Sequence, residues 1–118
     1  MSNSLVAVAV DCADAAALAR FWADVLGRHV AEGATSEQAV LLPDAGDTGA
    51  PRILFNQVPE PKVVKNRLHL DVVSTAYDAE TERLASLGAR KLRDLQKGET
   101  RWTTFTDIEG NEFDLIAG

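Results

Sequence analysis

Between residues 5 and 27 the apolar pattern changes period once. Val6, Val8 and Val10 alternate with Ala7, Ala9 and Asp11, which marks a strand with one buried face. Leu18, Phe21, Trp22, Val25 and Leu26 then follow at helical spacing. Asp14 is placed to cap that helix and Gly27 to close it. Residues 67–88 repeat the scheme. Leu68, Leu70 and Val72 alternate with His69, Asp71 and Val73, and Ser74 or Thr75 stands at the cap. Tyr77, Leu84 and Leu87 form the apolar stripe and Gly88 closes it. The two stretches align with one residue of difference in the link, which sets Ala7 opposite His69.

Three strand-like segments follow each helix, at 28–32, 38–43 and 52–58 and again at 89–94, 101–107 and 111–116. Glycine-, aspartate- and proline-rich turns separate them, and Gly110 supplies a positive φ for the last hairpin. Pro59 and Pro61 make 59–66 an extended linker. The pattern predicts an α+β fold of two βαβββ modules, 1–58 and 67–118, in a single domain spanning 1–118. One helix covers one face of each sheet. The modules are therefore expected to form a cup-shaped, curved sheet with the helices outside. With large aliphatics facing the helices, the cup would receive Ala7, Ala9 and Asp11, then Arg52, Leu54 and Asn56. From the second module it would receive His69, Asp71 and Val73, with Trp102, Thr104 and Thr106, and Glu112, Asp114 and Ile116. An apolar wall with a few convergent polar groups suits a small-molecule site.

Composition narrows the partners. The 118 residues fit one domain, and 46% apolar with 25% charged residues is a globular balance. A net charge of −6 argues against a duplex nucleic-acid binder. The single cysteine, Cys12, excludes an intrachain disulfide and a cysteine-rich zinc site, and is expected to be buried and inert. No apolar run is long enough to span a membrane, and the start lacks a basic leader, so a cytoplasmic location is expected. Lys62, Lys65 and Arg67 form a local basic run, either a solvated linker or a rim that attracts anions.

The paired modules, the stretch Asp14 to Gly27 and the closing Asp107-Ile-Glu-Gly-Asn-Glu-Phe-Asp-Leu115 resemble the vicinal oxygen chelate superfamily. It includes glyoxalases, bleomycin-resistance proteins and extradiol dioxygenases. The stretch Val58 to Asp71 resembles its glyoxalase-like branch, common in actinobacteria. The resemblance implies metal ligands on the first and last strands of each module. Carried over, these positions fall on Ala7, which has no donor, near Asn56, on His69 and on Asp114. A divalent metal would then be held by His69 and Asp114, an incomplete set. Ile108 stands where the family's hairpin usually has proline.

Each candidate has two readings. His69 is either a ligand or polar lining bonded to a carboxylate. Glu112 is the candidate catalytic base, or a solvated carboxylate at a strand end. Asp71 is placed to hydrogen-bond His69, and Trp102 either stacks on a ligand or packs between modules. Asn56, His69, Asp71, Trp102 and Asp114 are the expected ligand-binding residues. The resemblance implies lyase or isomerase chemistry on a small organic molecule. The alternative is a non-catalytic protein that sequesters an antibiotic-like ligand. Exposed sheet edges lead to the expectation of a homodimer.

Overall fold

A computed structural model describes residues 2–47 and 49–118. The elements are β1 (Ala7–Cys12), α1 (Ala15–Leu26), β2 (Gln38–Leu41), β3 (Arg52–Gln57), β4 (Asp71–Ser74), α2 (Tyr77–Leu87), β5 (Arg90–Lys97), β6 (Thr100–Thr106) and β7 (Glu112–Ala117). The chain divides between Pro61 and Lys62 into two units. The residues 62–66, expected as linker, therefore belong with the second unit.

In the first unit a three-stranded sheet runs in the order β1-β3-β2, with β1 parallel and β2 antiparallel to β3. Asp14 caps α1 as its side chain accepts from the Ala17 amide at 3.2 Å. Gly27 closes the helix at φ 66°. Leu18, Phe21, Trp22 and Val25 are buried, as are Leu41, Ile53 and Phe55 on the sheet. The Phe21 and Trp22 rings meet edge to face at 5.6 Å, a favoured aromatic geometry. The strand expected over 28–32 is reduced to an isolated bridge between Val30 and Leu41. Backbone bonds Ala31 N to Val40 O and Leu42 N to His29 O hold it there. Gly33, at φ 91°, then turns the chain away.

The second unit is a four-stranded sheet in the order β4-β7-β6-β5. β4 is parallel to β7, and β6 is antiparallel to both of its neighbours. Phe105 and Phe113 face each other across β6 and β7, with stacked rings 5.7 Å apart. With Leu84 and Leu115 they supply the fully buried apolar side chains of this unit. A β-bulge interrupts β5 between Lys91 and Arg93.

Two expectations are corrected here. The first strand of this unit starts at Asp71, not at Leu68, and Leu68 is 80% exposed. Neither Ser74 nor Thr75 caps α2. The N-cap is Ala76, which has no capping side chain, and Ser74 Oγ instead accepts from the Ala76 amide at 3.0 Å. The last hairpin, which carries Ile108, is held by side-chain bonds. The buried Asp107 carboxylate accepts from the Glu109 and Asn111 amides at 2.9 and 3.0 Å, and Gly110 turns at φ 88°.

Candidate metal and ligand site

β6 fixes which side chains share a face. Thr103 reaches toward α2, where its hydroxyl meets the Tyr77 hydroxyl. Thr104 points the other way and donates to Asp114 Oδ1 at 2.6 Å. Asp114 thus lies on the face that α2 does not cover. The parallel register pairs Asp71 with Asp114, so a second carboxylate stands beside the first. Like charges directly opposed across a ladder are unfavourable unless something offsets them. His69 lies beside both. Its Nδ1 lies 3.1 Å from Asp71 Oδ1 and 3.8 Å from Asp114 Oδ2. Donor atoms of His69, Asp71 and Asp114 all fall within 4.8 Å of one another. Asp114 is the most buried of the three, at 18% side-chain exposure, against 40% for His69 and 56% for Asp71.

An imidazole nitrogen and two carboxylate oxygens at this spacing form a donor set that suits a divalent cation such as Mn²⁺, Ni²⁺ or Zn²⁺. Three protein donors leave coordination positions open for a ligand. The family resemblance singles out His69 and Asp114. Asp71 joins them through the register of β4 on β7.

Glu112 is engaged elsewhere. Its Oε1 accepts from Lys62 Nζ at 3.0 Å and its Oε2 from the Asn66 amide at 3.1 Å. Burial pushes this carboxyl up. The bonds from Lys62, from the Asn66 amide and from its own amide outweigh burial and hold it below the usual glutamate range. A carboxylate held low is a weaker proton acceptor. Trp102 is half-buried and pairs with Leu95 and Ile116, on the same side of β6 as Thr104. Asn56 belongs to the first unit, on β3 opposite Asp11 and Gln38. Ala7 pairs with Arg52 at the start of β1. Cys12 is buried and its Sγ approaches Asn56 O at 3.5 Å.

A second polar group, absent from the sequence reading, lies between α2 and the β5–β6 hairpin. Lys91 pairs with Asp94 at 2.6 Å, Asp94 accepts from Thr103 at 2.8 Å, and Arg101 stacks 4.5 Å above the Tyr77 ring. The Lys91 hydrogen bond, then the Thr103 bond, hold Asp94 below the usual aspartate range. These residues line a cleft of about 410 Å³.

The model of the family described as "Glyoxalase-like domain" matches residues 7–116, from the first strand to the last. The chain belongs to this family. Among solved structures, this glyoxalase-like chain is similar to a glyoxalase/bleomycin resistance protein/dioxygenase family enzyme from Burkholderia phytofirmans. That match has 22% identity, 98% of each chain covered and a TM-score of 0.74. It is also similar to the fosfomycin resistance protein FosX from Listeria monocytogenes, crystallised as a variant with Mn(II) and a dihydroxypropylphosphonic acid. There the identity is 18%, the coverage 100% and 92%, and the TM-score 0.79. An oxidase, ChaP-H2, matches at 17% identity, 100% and 95% coverage and a TM-score of 0.73. At these identities the likeness shows the fold. No match was found among curated proteins. Among the described residues, no helix of this glyoxalase-like chain is long and apolar enough to cross a membrane.

Proposed function

We propose that this glyoxalase-like protein binds a small oxygen-bearing organic molecule at the open face of its second sheet. His69, Asp71 and Asp114 would hold a divalent cation there. The single observation that carries the reading is the convergence of those three donors within 4.8 Å. The FosX relative crystallised with Mn(II) and a phosphonic acid supports it. The cation, when bound, supplies Lewis-acid attraction for adjacent oxygens of the ligand. The chain's own residues do the rest. Thr104 orients the Asp114 carboxylate through its 2.6 Å hydrogen bond, a support of the kind that fixes ligating groups. Trp102, half-buried beyond Thr104, offers a flat apolar surface beside the polar cluster.

Two observations favour binding without turnover over lyase or isomerase chemistry. Ala7 offers no donor at the position that aligns with His69. Glu112, the residue placed to move a proton, is committed to Lys62 and Asn66. Calorimetric titration of untagged, metal-stripped protein with Mn²⁺, Ni²⁺ and Zn²⁺ tests the reading. Binding by the wild type that disappears in His69→Ala supports it, and no binding of any of the three overturns it. Metal-dependent turnover of a methylglyoxal–thiol adduct would move the assignment to a lyase. The homodimer and the cytoplasmic location belong to the same proposal, and light scattering that gives a monomer mass would remove the first of them.

A further inference from the structure

The strand expected to carry His69 stops short of it. β4 begins at Asp71, and the last backbone bond before it runs from Asp114 N to Leu70 O at 3.0 Å. Glu112, two residues before Asp114, opens β7 with a backbone N–H and C=O on the side of β4. In a continued parallel ladder the main chain near His69 would satisfy both. The Asn66 side chain satisfies them instead. Its Oδ1 accepts from Glu112 N at 2.8 Å, and its Nδ2 donates to Glu112 O at 3.3 Å. A primary amide carries the donor and acceptor of a peptide group, so Asn66 takes the place of the missing length of strand.

The arrangement is reciprocal. Glu112 Oε2 accepts from the Asn66 amide, and Oε1 holds Lys62, whose Nζ also donates to Val64 O at 2.7 Å. Asn66 Nδ2 also donates to Leu68 O. His69 therefore sits between two fixed carbonyls, Leu68 O tied to Asn66 and Leu70 O tied to Asp114. Its imidazole is 40% exposed, so packing alone does little to hold it.

We propose that Asn66 and Glu112 form a positioning clamp that holds His69 beside Asp71 and Asp114. The clamp rests on the reading of those three residues as a cation site and deepens it. Neither residue touches the cation. They act by fixing the backbone from which the imidazole projects. Aspartate at position 66 would lose the donor and set a second carboxylate against Glu112. Glutamine at position 112 would lose the charge and keep an oxygen for the Asn66 amide.

The test uses two readouts on the full chain, Mn²⁺ affinity by titration calorimetry and the His69 imidazole NMR shifts of metal-free protein. Asn66→Ala and Glu112→Ala are expected to weaken Mn²⁺ binding about 10-fold or more, as loss of supporting contacts does at metal sites. Both should also move the imidazole signals toward those of a flexible chain. Glu112→Gln should recover most of both. Unchanged imidazole signals in Asn66→Ala overturn the clamp, as does a fall in melting temperature with unchanged Mn²⁺ affinity. Moved signals in a protein whose wild type binds no Mn²⁺ uphold the clamp and remove the cation reading. If Asn66→Ala fails to fold, the comparison of Glu112→Ala with Glu112→Gln carries the same test.

Discussion

The two units share one plan, complete as βαβββ in the second and with its second strand reduced to a bridge in the first, and spend their side chains differently. In the first, α1 reads AAALARFWADVL, and Ala15, Leu18, Ala19, Phe21, Trp22, Ala23 and Val25 are buried. In the second, α2 reads YDAETERLASL, and Leu84 alone is buried. One helix is held by apolar area. The other is held by Leu84 and by polar links from its first turn, where Tyr77 meets Thr103 and Arg101. The donor set shows the opposite bias. The position occupied by His69 in one module holds Ala7 in the other. A dry core favours apolar side chains, whereas clustered charge needs water or a partner. The second unit accommodates both by using opposite faces of its sheet, with Leu84, Phe105, Phe113 and Leu115 buried on the side of α2 and the His69, Asp71 and Asp114 side chains gathered on the other face.

The contrast can be broken most directly at the helices. Trp22→Ala is expected to cost about 3–5 kcal/mol, read as a shift in the urea midpoint. Leu84→Ala is expected to cost about 2–3 kcal/mol, the low end for Leu→Ala, because the solvated remainder of α2 can settle into the space. A greater loss for Leu84→Ala than for Trp22→Ala would reverse the comparison. His69→Ala should abolish the stabilisation that Mn²⁺ gives at a hundredfold excess over its Kd, about 2.7 kcal/mol, measured as lost thermal shift. The cation should protect Leu18→Ala, in the first unit, as well as the wild type.

The caps offer a smaller test. Asp14→Ala should cost about 1 kcal/mol through the lost bond to Ala17. Ala76→Ser should stabilise α2 by a few tenths of a kcal/mol up to about 1, since that helix has no capping side chain. Equal losses from Asp14→Ala and Ser74→Ala would mean that both helix starts are capped alike. The smallest effect concerns Asp94. Its folded carboxyl titrates below its ordinary value of 3.8. The stability it adds is therefore present above that value and lost as pH falls through the lower folded value. Asp94→Asn should therefore lower stability slightly at neutral pH, leave it unchanged in acid where the carboxyl is already protonated, and so flatten the acid limb of a stability–pH curve, the effect being small because the group is exposed.

Much of this fold is legible from periodicity. The valine alternation, the Leu18–Phe21–Trp22–Val25 stripe and the closing Gly27 and Gly88 locate the first strand and both helices within a few residues. Where the reading fails, the cause is a contact distant in sequence. Leu68, Leu70 and Val72 alternate as a strand should, yet the ladder begins only at Asp71 because the Asn66 amide already occupies Glu112. Nothing near Asn66 in the sequence announces a partner 46 positions away. At the site, His69 and Asp114 are found through the family resemblance. Asp71 was placed as a partner of His69, and its nearness to Asp114 depends on a parallel register that alternation does not specify. The Lys91–Asp94–Thr103–Tyr77 chain was invisible for a related reason.

That last chain depends on the bulge in β5. In a regular strand, residues three apart point to opposite faces. The extra residue between Lys91 and Arg93 shifts the alternation, and Lys91 can then meet Asp94 at 2.6 Å. The same irregularity bears on association. β5 is an outer strand of its sheet, and it carries Arg90, Lys91, Arg93 and Lys97 along eight residues. A kinked, positively charged border is a poor template for a strand from another molecule. A second copy of the chain would find no flat seam there, so end-to-end growth of this sheet into fibres is blocked on that side without a covering helix.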